Sequence, residues 1–343
     1  MPHKPPRAAV IIVNWNAGAR RIERCLAALA AQNFRDFEVL LVDNGSSDNS
    51  LDALTSAPFP VRLLKQSENL GFARANNLAA RATAAPLLAL LNPDAYPEPG
   101  WLGALIRAAD KWPDAAAFGS LQIDANDPGR LDGAGDAYHV SGLAYRGHFG
   151  WPAAAAPRCE AETFAPCAAA ALYRRDPFLA LGGFDERFFC YHEDVDLGFR
   201  LRLAGWSCLQ IPQARVAHEG SALTGRRSEF AVYHGTRNRI WTFVKNMPGA
   251  LIWALAPLHA AANLAALARS AMTGSFGPTA RGVRDALKEA RAVLAERRRI
   301  QAARRAGVSD LARQMAWSPV KLLRREAVLR PVKDGYDAAQ GEK

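Results

Sequence analysis

The chain has 343 residues, half of them hydrophobic, and a formal net charge of +10. That length holds one large α/β domain plus an appendage, or two domains, and the apolar content excludes global disorder. The basic balance suits nucleic acid, anionic lipid or phosphorylated substrates. Acids and bases are mixed through the first 230 residues, whereas the stretch after Arg281 carries Arg297-Arg298-Arg299 and Arg304-Arg305 in a helix-like run. A solvated helix face is the plain alternative for such a run.

Five cysteines, at positions 25, 159, 167, 190 and 208, form no C-x-x-C pair, so zinc-ribbon and thioredoxin-like readings lack support. Their scatter fits reduced core thiols of a cytosolic compartment. The short basic segment Met1–Arg7 leads into an apolar run that is too short for a secretory h-region and ends in Asn14-Trp15-Asn16, so no signal peptide is read.

Taken in order, Ala8–Val13 is a continuous apolar, β-branched run, the pattern of a strand covered on both faces. Gly18–Ala31 has helical spacing, with Ile22, Leu26 and Leu29 on one side. Phe37–Val42 predicts a second strand, Val61–Leu64 a third, Phe72–Thr83 a helix and Leu87–Leu91 a fourth strand. This alternation predicts an α/β fold with a doubly wound, mostly parallel sheet and helices on both faces. Ligands in such sheets bind beyond the carboxyl ends of the strands. Polar clusters fall there: Asn14-Trp15-Asn16, Asp43 to Asp48, Glu68-Asn69-Leu70-Gly71 and Asn92-Pro93-Asp94.

The middle, roughly Lys111 to Cys167, is rich in Gly, Pro, Asp and Ala and predicts shorter strands and loops. Residues 246–268 carry no Asp, Glu, Lys or Arg, with Arg237, Arg239 and Lys245 before them and Arg269, Arg281 and Arg284 after. The length reaches the ~20 residues of a bilayer span. Pro257, His259 and Asn263 favour interfacial helices on an anionic membrane, with a true span and a buried helix pair as alternatives. No internal repeat is evident.

Neither a G-x-G-x-x-G nor a G-K-[ST] loop follows the first strand, so dinucleotide and P-loop fingerprints are missing. Carboxylates are available instead. Ionised Asp43 is a good acceptor for the N3–H of uracil or thymine, although D-N-G-S-S-D is also good turn chemistry. Asp94 sits in a D-x-D-like element that begins with Asn92, suited to a hard cation bridging a diphosphate, or to a plain β-turn. In Tyr191-His192-Glu193-Asp194-Val195-Asp196, crowded acids raise one another's pKa, which tunes a carboxylate toward general-base work. A helix N-terminus starting near Glu193 accommodates acids equally well. His218 is a structural histidine or a metal ligand complementing Asp94.

Together and in this order, several strings resemble the family 2 glycosyltransferases with the GT-A fold. Within that family the chain resembles bacterial rhamnosyltransferase-like enzymes of surface polysaccharide assembly. The strings are Val10-Ile11-Ile12-Val13-Asn14-Trp15-Asn16, Val42-Asp43-Asn44-Gly45-Ser46-Ser47-Asp48, Glu68-Asn69-Leu70-Gly71 through Asn77, Leu91-Asn92-Pro93-Asp94, Gly182-Gly183-Phe184-Asp185-Glu186 and Glu193-Asp194-Val195-Asp196-Leu197. The likeness covers about residues 8 to 245.

The resemblance implies residue roles. Asp43 contacts the donor's base. Asn14, Asn16, Asn69, Gly71, Asn76 and Asn92 belong to the donor pocket. Asp94, assisted by His218, binds Mg²⁺ or Mn²⁺. Asp194 is the catalytic base, with Glu193 and Asp196 orienting it or touching the acceptor. The implied reaction is an inverting transfer of a sugar, rhamnose from dTDP-rhamnose by preference, from a nucleotide-sugar donor to a glycan or lipid-linked glycan. The implied place is cytoplasmic, peripheral on the inner face of the cell membrane.

Two departures stand out: Asn92 opens the D-x-D element, and Pro166-Cys167-Ala168-Ala169-Ala170 replaces a Gly-led small segment. The expected organisation is a GT-A catalytic domain over 8–225, amphipathic or hydrophobic helices over 226–280 and a basic helical tail over 281–343, the last two forming a C-terminal helical, partly amphipathic extension. The competing class is a non-catalytic membrane-surface scaffold on a transferase-like fold. Nucleic-acid binding is not expected, because the basic tail lacks interleaved aromatics.

Overall fold

A computed structural model of the protein describes residues 4–220 and 228–332. The expected domain boundary at 225/226, the ends of the chain and the last part of the basic tail lie outside the described residues.

The chain opens with β1 (Ala8–Asn14), α1 (Ala19–Ala30), β2 (Phe37–Asn44), a 3-10 turn at Ser50–Ser56, β3 (Val61–Gln66), α2 (Gly71–Ala82) and β4 (Leu87–Leu91). These strands lie side by side in the order β3-β2-β1-β4, all parallel, with Val10 opposite both Val39 and Ala89. β1 is apolar throughout because both its faces are covered. Val10 and Ile12 join Leu26 and Leu29 of α1 in one core, while Ala9 and Ile11 join Ala75 and Ala79 of α2 in the other.

The middle continues with β5 (Ala95–Pro97), α3 (Trp101–Lys111), β6 (Ala115–Asp124), β7 (Leu131–Gly133), β8 (Asp136–Tyr138), β9 (Ala144–Arg146), β10 (Ala161–Glu162), β11 (Ala170–Arg174) and α4 (Arg175–Ala180). It is more regular than its composition predicts. β6 runs ten residues, and β11 lies antiparallel between β4 and β6. Then come α5 (Glu193–Leu203) and β12 (Ser207–His218), which pairs parallel with β6 and breaks register between Ile211 and Arg215. β8 and β9 form a separate hairpin.

The rest is helical: α6 (Glu229–Asn246), α7 (Gly249–Met272), α8 (Phe276–Lys288), α9 (Ala290–Ala302), α10 (Val308–Gln314) and α11 (Pro319–Arg324). This extension shares a core with the sheet domain. Phe243, Met247, Leu255, Leu311 and Met315 pack with Tyr138, Phe164 and Phe199. The charge-free stretch falls on α7, where Leu255, His259 and Ser270 are the buried residues. Trp253 is 80% exposed, Leu264 67% and Met272 81%. Among the described residues α7 is the one helix long and apolar enough to cross a membrane.

Its expected basic flank is corrected on one side. Arg237, Arg239 and Lys245 are turned inward: Arg237 donates to backbone carbonyls of residues 187 and 188, Arg239 to Asn263, and Lys245 to Asp185. Arg269, Arg281 and Arg284 are exposed. All five cysteines are free, but Cys159 is exposed, so not all are core thiols.

Candidate active site

A cleft of about 580 Å³ opens over the carboxyl ends of β1, β2 and β4. Asn69, Gly71, Asn92, Asp94, Glu193, Asp194 and His218 line it together. Trp15, Asn44, Asp136, Arg146 and Cys167 line it too, none of which the strings above singled out as site residues. Asn14, Asn16, Asp43, Asn76 and Asp196 do not line it.

On one side Asn92-Pro93-Asp94 forms a turn, closed by the Ala95 N–H donating to Asn92 O at 3.1 Å. The turn aims a buried Asp94 at His218, with Oδ1 and Nε2 3.4 Å apart. Neither atom has a hydrogen-bond partner. On the far edge of the ring, Nδ1 lies 2.7 Å from Asp132 Oδ2. With that carboxylate accepting, the ring proton sits on Nδ1 and the Nε2 lone pair faces Asp94. Two acceptor atoms facing each other in a buried site are satisfied by a proton on Nε2 or by a metal ion between them, and a carboxylate holding the ring from behind is how metal-binding histidines are oriented. The residues therefore fit a divalent cation. Burial pushes the His218 pKa down, the Asp132 hydrogen bond and Asp94 push it up, and the net shift is upward.

Across the cleft α5 starts at Glu193, and the Asp194 carboxylate accepts from two backbone N–H groups, Ala168 at 3.1 Å and Val195 at 2.8 Å. Burial raises its pKa against those bonds. Burial, then the Asp194 charge, raises Glu193 well above the carboxylate range, and Glu193 Oε2 has no partner. Asp136 is raised by burial and by Asp194, against Arg146. The side-chain ligand atoms of Asp136, Cys167 and Asp194 lie within 4.8 Å of one another. Burial, opposed by Arg146, pushes the Cys167 thiol up to about 12, so it is neutral at physiological pH. Arg146 also pairs with Asp132, which links the histidine side of the cleft to the acids beside α5.

Other sequence-predicted residues turn out to support the walls. Asn14 is fully buried, and its amide nitrogen is 3.0 Å from both Ser46 Oγ and Ser50 Oγ. Asn16 Oδ1 accepts from the Ser47 N–H at 2.8 Å. Both tie the loop after β1 to the loop after β2. Asp43 is buried between them; its Oδ1 accepts from Ser46 N–H, and its Oδ2 has no partner. Asn76 donates to Phe72 O one turn back within α2, so its expected place in the donor pocket is corrected.

Asn69 does line the cleft, and accepts from Asn44 Nδ2 and Gly71 N–H at 2.9 Å each. Gly71 has φ +80°, and a Cβ there would lie 2.6 Å from the Phe189 ring, so only glycine lets that loop close. Asp196 points away from the cleft into an ion-pair cluster with Arg200 and Lys245, which corrects its expected contact with the acceptor.

Asp132 and Asp136 flank a Gly-Ala-Gly turn in which Gly135 has φ +81°. Acids on either side of such a turn were the available signal for them. Asn44 lies within the strand-end cluster Asp43 to Asp48, and Arg146 left no comparable signal.

Solved structures share this architecture. A mannosyltransferase from Pyrobaculum calidifontis, in complex with GDP-Man and Mn²⁺, superposes with a TM-score of 0.55 over 88% of this chain and 87% of its own, at 20% identity. GalNAc-T7, solved with UDP, GalNAc and Mn²⁺, gives 0.55 over 71% of this chain and 48% of its own, at 17% identity. At such identities the likeness establishes the fold, that of the GT-A glycosyltransferases.

Sequence relatives narrow it. The chain is 35% identical over 255 residues to N-acetylglucosaminyl-diphospho-decaprenol L-rhamnosyltransferase of Mycobacterium tuberculosis, covering 66% of this chain and 80% of the relative. It is 32% identical over 205 residues to the O-antigen biosynthesis protein RfbC of Myxococcus xanthus, covering 57% of this chain and 16% of that protein. The family model for glycosyl transferase family 2 matches residues 9–182, and the chain belongs to that family.

Proposed function

We propose that this family 2 glycosyltransferase moves L-rhamnose from dTDP-rhamnose onto a lipid-linked, N-acetylglucosamine-bearing acceptor, with inversion. The observation that carries the reading is the pairing within one cleft of a cation-ready Asp94–His218 couple and a separate half-buried carboxylate, Asp194. Support for the sugar and acceptor comes from the mycobacterial relative, an N-acetylglucosaminyl-diphospho-decaprenol L-rhamnosyltransferase.

Asp94 and His218 would hold Mg²⁺ or Mn²⁺, which supplies positive charge to the departing diphosphate. Asp132 keeps His218 in the ligating tautomer. Asp194 takes the proton of the acceptor hydroxyl as that oxygen bonds to the anomeric carbon. The bond from the same carbon to the diphosphate oxygen breaks on the opposite face. Burial of Asp194 makes it a better base than a solvated carboxylate. Asn69 and Asn92 line the donor side, and Asp43, behind the wall, holds the loop after β2 through the Ser46 N–H.

The acceptor's lipid places the enzyme at a membrane. We assign that contact to α7, whose exposed Trp253, Leu264 and Met272 face away from the core, with Arg269 at its end. Docking of this apolar helix along one side through His259 and Asn263 supports peripheral attachment, which we place on the cytoplasmic face. The test is a panel of nucleotide sugars with Mg²⁺ or Mn²⁺ and a polyprenyl-diphospho-N-acetylglucosamine acceptor. Rhamnosyl transfer from dTDP-rhamnose above all other donors is the expected result. Transfer from a different donor, or none with a folded protein, removes this reading.

A further inference from the structure

Asp194 sits between two structural anchors that both come from α6, a helix with no residue in the reaction itself. Before Asp194, the loop carries three non-glycine residues in the left-handed region, Phe189 (φ +64°), Tyr191 (φ +70°) and His192 (φ +68°). Such a segment persists only where surrounding bonds dictate it. Here the amide nitrogen of Asn238 faces three of its carbonyls, Phe188 at 3.0 Å, Cys190 at 2.9 Å and Tyr191 at 2.8 Å. Arg237 adds bonds to the carbonyls of Arg187 at 2.9 Å and Phe188 at 3.0 Å. After Asp194, the buried carboxylate of Asp196 is held by Lys245 at 2.8 Å and Asn246 at 2.7 Å, again from α6. Lys245 reaches back to Asp185 at 2.6 Å, so it ties the two ends of the segment together.

We infer that α6 is a splint for the base: Asn238, with Arg237 and Lys245, is a positioning residue that fixes where Asp194 meets the acceptor hydroxyl. The inference rests on Asp194 being the base, as proposed above. Asn238 is buried, and its role is that of a donor to carbonyls. Aspartate at that position keeps the shape and removes the donors. A residue that merely fills space would tolerate the exchange.

The test compares Asn238→Asp, Asn238→Ala and Arg237→Met with the parent protein, using dTDP-rhamnose and polyprenyl-diphospho-N-acetylglucosamine. Displacing a catalytic group by about 1 Å costs on the order of 10²-fold in rate. Asn238→Asp is therefore expected to lower kcat by roughly that factor, with the KM for dTDP-rhamnose within about threefold of the parent. Asn238→Ala is expected to fall between the parent and the aspartate. In the Asp194→Asn background, Asn238→Asp is expected to add no further loss, because the group it positions is gone.

Hydrogen exchange supplies a readout independent of the substrate: faster exchange confined to residues 188–194 in Asn238→Asp. Undiminished kcat in folded Asn238→Asp overturns the splint, as does a fully additive loss in the double variant. Unfolding of all three variants overturns it too, since the contacts would then hold the fold and not the base. A normal rate in Asp194→Asn alone refutes the base reading, and the exchange data still decide whether α6 holds the loop.

Discussion

Replacing Asp194 by asparagine separates catalysis from stability with one isosteric change. General-base assistance is worth ~10²–10⁴ in rate, roughly 3–5 kcal/mol of barrier, so kcat is expected to fall by at least about a hundredfold. The fold responds differently. Asparagine can accept only one of the two backbone bonds from Ala168 and Val195, a loss of about 1 kcal/mol. Against that stands relief from burying a charge. Burial raises the folded pKa of Asp194 above its unfolded value of about 3.9. A carboxyl so shifted binds its proton more tightly when folded. Its contribution is therefore greatest below the unfolded pKa and is lost as pH climbs through the folded one.

At neutral pH the parent protein bears the whole penalty and the asparagine variant bears none of it. The assay is thermal unfolding of both proteins from pH 4 to pH 8, beside initial rates. The variant's Tm relative to the parent is expected to improve steadily with rising pH, while its turnover stays low throughout. A parent that gains on the variant as pH rises would mean that the fold stabilises the Asp194 carboxylate, contrary to its burial. Turnover within about threefold of the parent would remove Asp194 as the base.

Three further outcomes follow from the geometry. Asp132→Asn, which weakens the hold on His218 Nδ1 without touching the cleft's cation pair, should lower Mn²⁺ affinity measured by calorimetry with dTDP by about 10–100-fold, the usual effect of losing such a partner. Lys245→Met removes the shared partner of half-buried Asp185 and buried Asp196, each of which keeps one arginine, and should cost about 3 kcal/mol in chemical denaturation. Trp253→Ser with Leu264→Ser strips two exposed apolar side chains worth about 1.5–3 kcal/mol each when buried. Binding to anionic vesicles in a sedimentation assay should drop more than tenfold, and turnover on a water-soluble acceptor should not change.

What could be read from the sequence followed from how many neighbours a residue needs to show its role. β1 was legible because burial on both faces demands an unbroken apolar run, and the same holds for Leu87–Leu91. The ten residues of β6 were not, since Ala115-Ala116-Ala117 has no strand preference. Gly119 of this strand is closely packed: a Cβ on it would lie 3.0 Å from Pro166 and 3.1 Å from the Gln210 side chain, so those neighbours would have to give way by a few tenths of an ångström.

The strand-end rule located Asn14 and Asn16 within the right neighbourhood but gave no direction, and their amides serve the adjoining loop. For Asp196 helix geometry held the answer, since residues two apart on a helix do not share a face and Asp194 takes the one toward the cleft. The inward turn of Arg237, Arg239 and Lys245 was beyond reach. Lys245 finds Asp185 sixty residues away, and nothing local distinguishes such a lysine from one facing solvent. Asp132 and Arg146 lie on strands of three residues whose pairing is set by tertiary contacts.

In the proposed mechanism one cleft keeps its cation and its base apart, the first at Asp94 and His218, the second at Asp194. Diffraction from crystals grown with Mn²⁺ and dTDP, recorded to locate the manganese by its anomalous signal, tests this directly. The ion is expected at about 2.0–2.3 Å from Asp94 Oδ1 and His218 Nε2, with the diphosphate on its open side and the Asp194 carboxylate unligated. Manganese bound among Asp136, Cys167 and Asp194 would make the supposed base a metal ligand and contradict the mechanism.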